Sequence, residues 1–157
     1  MPDAALCLAL LEKIDEQIER TTHLIGLVPA ERWDWSPQTG GWTTRELRGH
    51  LVDCISGFCA VLLAAEPERL GHFAKLRERP GSIAIFRSRI EEGFALLNDA
   101  DLARRVPTVF VAQGETILTL LLGNLEHLIN HKHQLFTYAK LLGAPLTSAD
   151  LYHFRGV

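Results

Sequence analysis

Cysteine, methionine, tyrosine and one-signed charge are all scarce in this chain, and each scarcity removes a class of protein. Three cysteines in 157 residues (Cys7, Cys54 and Cys59) are odd in number and lack the close pairing of a metal knuckle. A disulfide framework is thereby excluded, and reduced thiols are expected. Positive charge is not in excess: 16 Lys and Arg against 19 Asp and Glu leave a net charge of −3. With no basic stripe, nucleic acid is not expected as a partner. Apolar runs are short, so no stretch is expected to span a bilayer. The opening Met1-Pro2-Asp3 leads into an apolar run already broken by Glu12 and Lys13, unlike a secretion signal. Strand patterning is almost absent, and internal repeats and low-complexity tracts are absent as well. The expectation is one cytoplasmic domain over residues 1–157, with 47% apolar residues to build its core.

Helical periodicity is what the chain does have. Leu6, Leu10, Ile14 and Ile18 place an apolar stripe on a helix from about Ala4 to Ile25. Pro29, Pro37 and the Gly40-Gly41 pair make a loop of the stretch from Gly26 to Trp42. Thr43 and Glu46 form the two halves of a capping box, which opens a second helix that runs to near Pro67. A charged connection, Arg69 to Gly81, precedes a third helix over Ser82 to Leu97. The run Val106 to Val111 reads as a short extended piece, and Glu115 to Leu142 as a long fourth helix stopped by Gly143 and Pro145. Four amphipathic helices joined by mid-length connections predict an all-α fold, a four-helix bundle.

The fourth helix carries His127 and His131, which at four residues apart stand one above the other and can grip one divalent metal ion. Their arc also collects Leu120, Leu121, Asn124, Leu128 and Leu135, so both are expected on the inward face, while His133 falls among polar residues. An imidazole among leucines must satisfy its ring nitrogens, and a hydrogen bond does so as well as a metal does. His50, in the middle of the second helix at the edge of its apolar arc, is the candidate third ligand. Asp53 lies within reach to accept a hydrogen bond from an imidazole; a plain hydrogen-bonded His50 is the alternative. Cys54 sits among leucines as an inert core thiol. His23, His72 and His153 fall in or near surface regions and are given no role.

The ordered motifs His50-Leu51-Val52-Asp53 and His127-x-x-x-His131-x-x-Gln134-Leu135 resemble the DinB/YfiT-like superfamily of metal-binding four-helix bundles. The approach Trp33-Asp34-Trp35-Ser36-Pro37, then Gly41-Trp42-Thr43, is similar to that family's loop before its first ligand. So is the exit from Tyr138 to Gly143-Ala144-Pro145, with Gln134 nine residues before Gly143. The resemblance implies one divalent ion (zinc, nickel or iron) held by His50, His127 and His131 with open positions, the layout of a catalytic rather than a structural site. Asp53 or Gln134 would then orient the nucleophile. The implied activity is a metal-dependent S-transferase using a low-molecular-weight thiol of the bacillithiol or mycothiol type. A metal-dependent hydrolase and a non-catalytic metal- or small-molecule-binding bundle are the alternatives. The implied partners are a small-molecule substrate and a second copy in a homodimer.

One departure stands out: His131-Lys132-His133-Gln134 replaces the family's common His-Arg-Gly-Gln. Lys132 is angled closer to the interior than a lysine favours and is expected to snorkel outward or to pair with a carboxylate. Trp33, Trp35 and Trp42 are expected to cover the bundle's end, line the pocket or meet a partner. The apolar stretch from Asp150 to Arg155 is expected to dock on the bundle or on a second subunit.

Overall fold

A computed structural model of the chain describes residues 3–78, 83–108 and 111–152. It contains four long helices: α1 (Ala5–Gly26), α2 (Thr44–Ala65), α3 (Ile83–Phe94) and α4 (Ile117–Leu141). The all-α bundle expected from the periodicity is the fold observed. α2 packs on both α3 and α4, and α1 closes the other side against the same two helices. Leu47, Leu51, Ile55, Phe58 and Leu62 of α2 are completely buried, as are Leu121, Leu128 and Leu135 of α4.

The capping box at the start of α2 is complete: Glu46 N–H donates to Thr43 Oγ1, and the Glu46 carboxylate accepts from Thr43 N–H at 2.7 Å. This fixes where the helix begins, and hence where His50 falls on it. α2 also corrects an expectation, because an 18-residue window of it has a mean hydropathy of 1.5, long and apolar enough by composition to cross a membrane. Its apolar side chains are packed against α3 and α4, so that apolarity is accounted for as a core helix.

Three boundaries differ from the sequence reading. α4 starts at Ile117 because Glu115–Thr116 is a two-residue strand, β2, antiparallel to β1 (Arg105–Val106), with Arg105 opposite Thr116. Gly114, at φ +86°, makes the turn into β2, and Thr116 then caps α4 by accepting from Thr119 N–H. Among the described residues of the expected Val106–Val111 piece, the first alone is strand; Val109 and Phe110 lie outside the described residues. α3 ends at Phe94, after which Leu96 and Leu97 donate three residues back and tighten the turn; Ser82 lies outside the described residues. The connection after Arg69 contains a 3-10 helix, Gly71–Glu78, held by the buried Phe73.

Beyond α4, Gly143 at φ +90° turns the chain back, and a short 3-10 helix (Ser148–Asp150) docks on the bundle itself. Asp150 Oδ1 meets His23 Nε2 at 2.8 Å, and Leu151 is buried. His23, given no role from sequence, thus ties this segment to α1. His72 is likewise engaged, 2.8 Å from Glu92. His153, Phe154 and Arg155 lie outside the described residues.

Lys132 does not snorkel, and among the described residues it pairs with no carboxylate. It is 2% exposed, and its Nζ donates to Gln17 Oε1 at 2.6 Å and to Leu151 O at 2.8 Å. Its position explains this, because Lys132 points from α4 towards α1, where the stem is covered and two neutral acceptors meet the ammonium. Burial lowers its pKa to about 8.

Candidate metal centre

The contact between α2 and α4 brings His50 to the pair His127 and His131. One ring nitrogen of each lies within 4.8 Å of the others. His50 Nε2 and His127 Nε2 face each other at 3.0 Å, and the His50 and His131 rings stand nearly perpendicular at 4.3 Å between centroids. Two neutral imidazoles facing each other in this way share one proton between two lone pairs. Three nitrogens converging with no carboxylate among them match the donor set that a borderline divalent cation prefers.

The trio is less buried than the helical projection implies: His127 is exposed, and His50 and His131 are half-buried. The buried residues of α4 are Ile117, Leu121, Leu125, Leu128, Lys132, Leu135, Phe136, Tyr138 and Ala139. At about 100° per residue these centre about 30° round from Ile117, whereas His131 and His127 fall about 40° and 80° to its other side. The pair therefore lines the edge of the core, facing a groove. One side of the cluster is left open to solvent.

The surroundings fix the ring of His131 closely. Its Nδ1 lies 2.9 Å from Gln134 Oε1, one helical turn on. Gln134 Nε2 donates to Tyr138 Oη at 3.4 Å, and Tyr138 Oη donates to Trp42 O at 3.1 Å. With the amide oxygen turned to the imidazole, Nδ1 carries the proton and Nε2 keeps the lone pair. Trp42 covers the site, its ring 4.8 Å from His50 and stacked on His131 at 5.6 Å. Trp35 meets Tyr138 edge-on at 5.5 Å, and Trp33 lies beneath the guanidinium of Arg48. Of the three tryptophans, Trp42 is the one that walls the cluster directly.

Asp53 is exposed, and no hydrogen bond joins its carboxylate to an imidazole among the described residues. It acts on His50 only through its charge, favouring protonation. Burial and the neighbouring His131 and His127 outweigh that charge and hold the pKa of His50 below the ordinary imidazole range. Burial, then His131, lowers that of His127 as well. Both shifts favour the neutral form, which is the form that ligates. Cys54 is the inert thiol expected of it: it is buried, with its pKa pushed up to about 11.

Beside His127, between α2 and α4, a cavity of about 780 Å³ opens. Gly57, Ala60 and Ala64 form its α2 wall, and Leu120, Gly123 and Asn124 its α4 wall. Asn124 Nδ2 donates to Cys54 O at 2.9 Å, and a Cβ on Gly57 would stand 2.6 Å from Asn124 Oδ1. Glycine at 57 is thus what allows this approach. The cavity was missed from the sequence, although its signal was present as small residues at helical spacing on one face of α2.

The pattern that defines the DinB superfamily matches residues 13–135. Among solved structures, a DinB-like protein of Bacillus subtilis superposes with a TM-score of 0.64 at 18% identity, covering 86% of this chain and 92% of its own. A protein of Exiguobacterium sibiricum described as a DinB family member superposes with a TM-score of 0.61 at 23% identity, covering 96% and 99%. At these identities the two likenesses speak for the fold. No curated protein matches the chain significantly.

Proposed function

The chain belongs to the DinB superfamily, and from that premise we propose that it holds one divalent metal ion through His50, His127 and His131 and acts as a metal-dependent thiol S-transferase. The observation that carries the reading is the convergence of three imidazole nitrogens within 4.8 Å, open on one side, at the mouth of an apolar cavity. Three protein ligands leave room for an exogenous one. Zinc, nickel and iron all suit the donor set. A divalent cation there supplies Lewis acidity, which favours the thiolate of a coordinating low-molecular-weight thiol at neutral pH.

The chain's own residues do the rest. Gln134 holds His131 in the tautomer that presents Nε2, and Trp42 screens the cluster from water on its face. Asp53 adds negative charge beside His50. The cytoplasm is the proposed location, where the three buried thiols stay reduced. Assembly as a homodimer belongs to the same reading, supported by the exposed Leu122 and Ile129 seven residues apart on α4.

A metal-dependent hydrolase is the second reading, favoured by the exposure of His127 to solvent. Screening electrophiles with metal-loaded protein, with and without bacillithiol or mycothiol, separates the possibilities. Thiol-dependent turnover is the expected result. Turnover with water alone establishes the hydrolase, and silence in both with metal bound leaves a non-catalytic binding bundle.

A further inference from the structure

We infer that the cavity between α2 and α4 seats an uncharged, apolar tail of the substrate, so that the ligand is amphipathic, with its polar head at the three histidines. The inference rests on the metal reading for the head group and on the cavity alone for the tail. At about 780 Å³ the space is of the size that binds small molecules. The space is a half-open groove, with Gly57, Ala60, Ala64 and Leu120 half-buried along it and Gly123 exposed, and its width between two packed helices has a cause in the sequence.

That cause is local. Gly57, Ala60 and Ala64 repeat every three or four residues and each puts no more than a methyl group into the α2 wall, where Val61 and Leu63 add apolar surface. On the same helix, Leu62 is fully buried and fills the space beside α3, where a Cβ added to Gly93 would already meet it. On the α4 wall, Gly123 again leaves the space empty and Leu120 supplies apolar surface.

No charged side chain lines the cavity. Its polar groups are largely committed elsewhere: the Asn124 amide donates to Cys54 O, and the Thr119 hydroxyl is bonded to that of Thr116. An ionic or strongly polar group entering there would lose its hydration without replacement, whereas an alkyl chain or aromatic ring would gain by burial. His127 lines the cavity and belongs to the cluster, so a molecule in the cavity abuts the metal site. This fixes the order of the ligand's parts.

The test uses the zinc-loaded full chain and the series acetohydroxamic, butanohydroxamic, hexanohydroxamic and octanohydroxamic acid, with Kd read by calorimetry. The hydroxamate head is constant and only the tail grows. Each added methylene is expected to tighten binding about three- to fourfold until the cavity is full, by the transfer of apolar surface from water. In Ala60→Trp, and in the milder Ala64→Leu, the acetohydroxamate Kd is expected to be unchanged and the gain with chain length lost. Circular dichroism checks that each variant is folded. A Kd independent of chain length in the wild type, or a gain that survives both variants, overturns the inference. A second arm takes metal-free protein and the neutral fluorophore N-phenyl-1-naphthylamine. Enhanced fluorescence that Ala60→Trp abolishes supports the apolar seat even if zinc fails to bind, so failure of the metal reading is told apart from failure of the cavity. No enhancement in the wild type overturns the seat.

Discussion

Gln134 holds the only ring nitrogen of the trio, His131 Nδ1, that is bonded outside the cluster among the described residues. Replacing it by leucine keeps the helix and removes the acceptor. Gln134→Leu is expected to weaken metal affinity by about 10- to 100-fold while the fold persists. Competition against a chromophoric chelator measures this, and an unchanged affinity would show that the amide does not orient the ring. At this scale the candidate ligands were legible because helical spacing is enough to align His127 with His131 and motif order adds His50. Their degree of burial was not, because a projection gives the angle between residues on a helix and not the direction in which the helix as a whole faces. Lys132 failed in the reading for a related reason. Its charge argues for the surface, and only the docking of Leu151 and Gln17 around it, from distant parts of the chain, makes the buried position tolerable.

The helices themselves were read to within a residue or two at α1 and α2, since the apolar stripe of α1 and the Thr43–Glu46 box are local signals. The β1–β2 pairing and the 3-10 helix at Gly71–Glu78 were not read, because each depends on partners distant in sequence or on a turn too short for periodicity. Contact between elements also decides what a glycine is worth. A Cβ on Gly93 of α3 would stand 2.7 Å from Leu62 Cδ1, and Leu62 is fully buried. Helix propensity alone favours alanine there by about 1 kcal/mol, but overpacking costs about 1–3 kcal/mol. Gly93→Ala is therefore expected to lower the midpoint of urea unfolding. A raised midpoint would mean that α2 and α3 separate at little cost.

For the molecule as a whole, the three buried thiols set its response to alkali. Burial raises Cys7 and Cys54 to about 11 and Cys59 to about 12, above the ordinary thiol range in which the unfolded chain ionises. A group that binds its proton more tightly when folded contributes stability that is fully present below its unfolded pKa and is lost as pH rises through the folded value. Unfolding free energy is thus expected to fall between about pH 9 and pH 12 in wild-type protein, the three thiols outweighing the opposite contribution of the single Lys132, whose folded pKa of about 8 lies below its unfolded value. The fall should be shallower in a Cys7→Ala, Cys54→Ala, Cys59→Ala variant. Equal slopes in denaturant titrations across this range would contradict that origin. The homodimer is tested by sedimentation of the full chain at high micromolar concentration, where a dimer is expected and a monomer rules that assembly out.

Metal binding by the three histidines is the claim on which the functional account turns, and elemental analysis addresses it most directly. Protein made without an affinity tag is compared with a His127→Ala, His131→Ala variant prepared in the same way. About one equivalent of a divalent transition metal in the wild type, and close to none in a folded variant, is the expected result, because removing both α4 ligands leaves a single imidazole. Equal metal content in the two proteins would contradict the account.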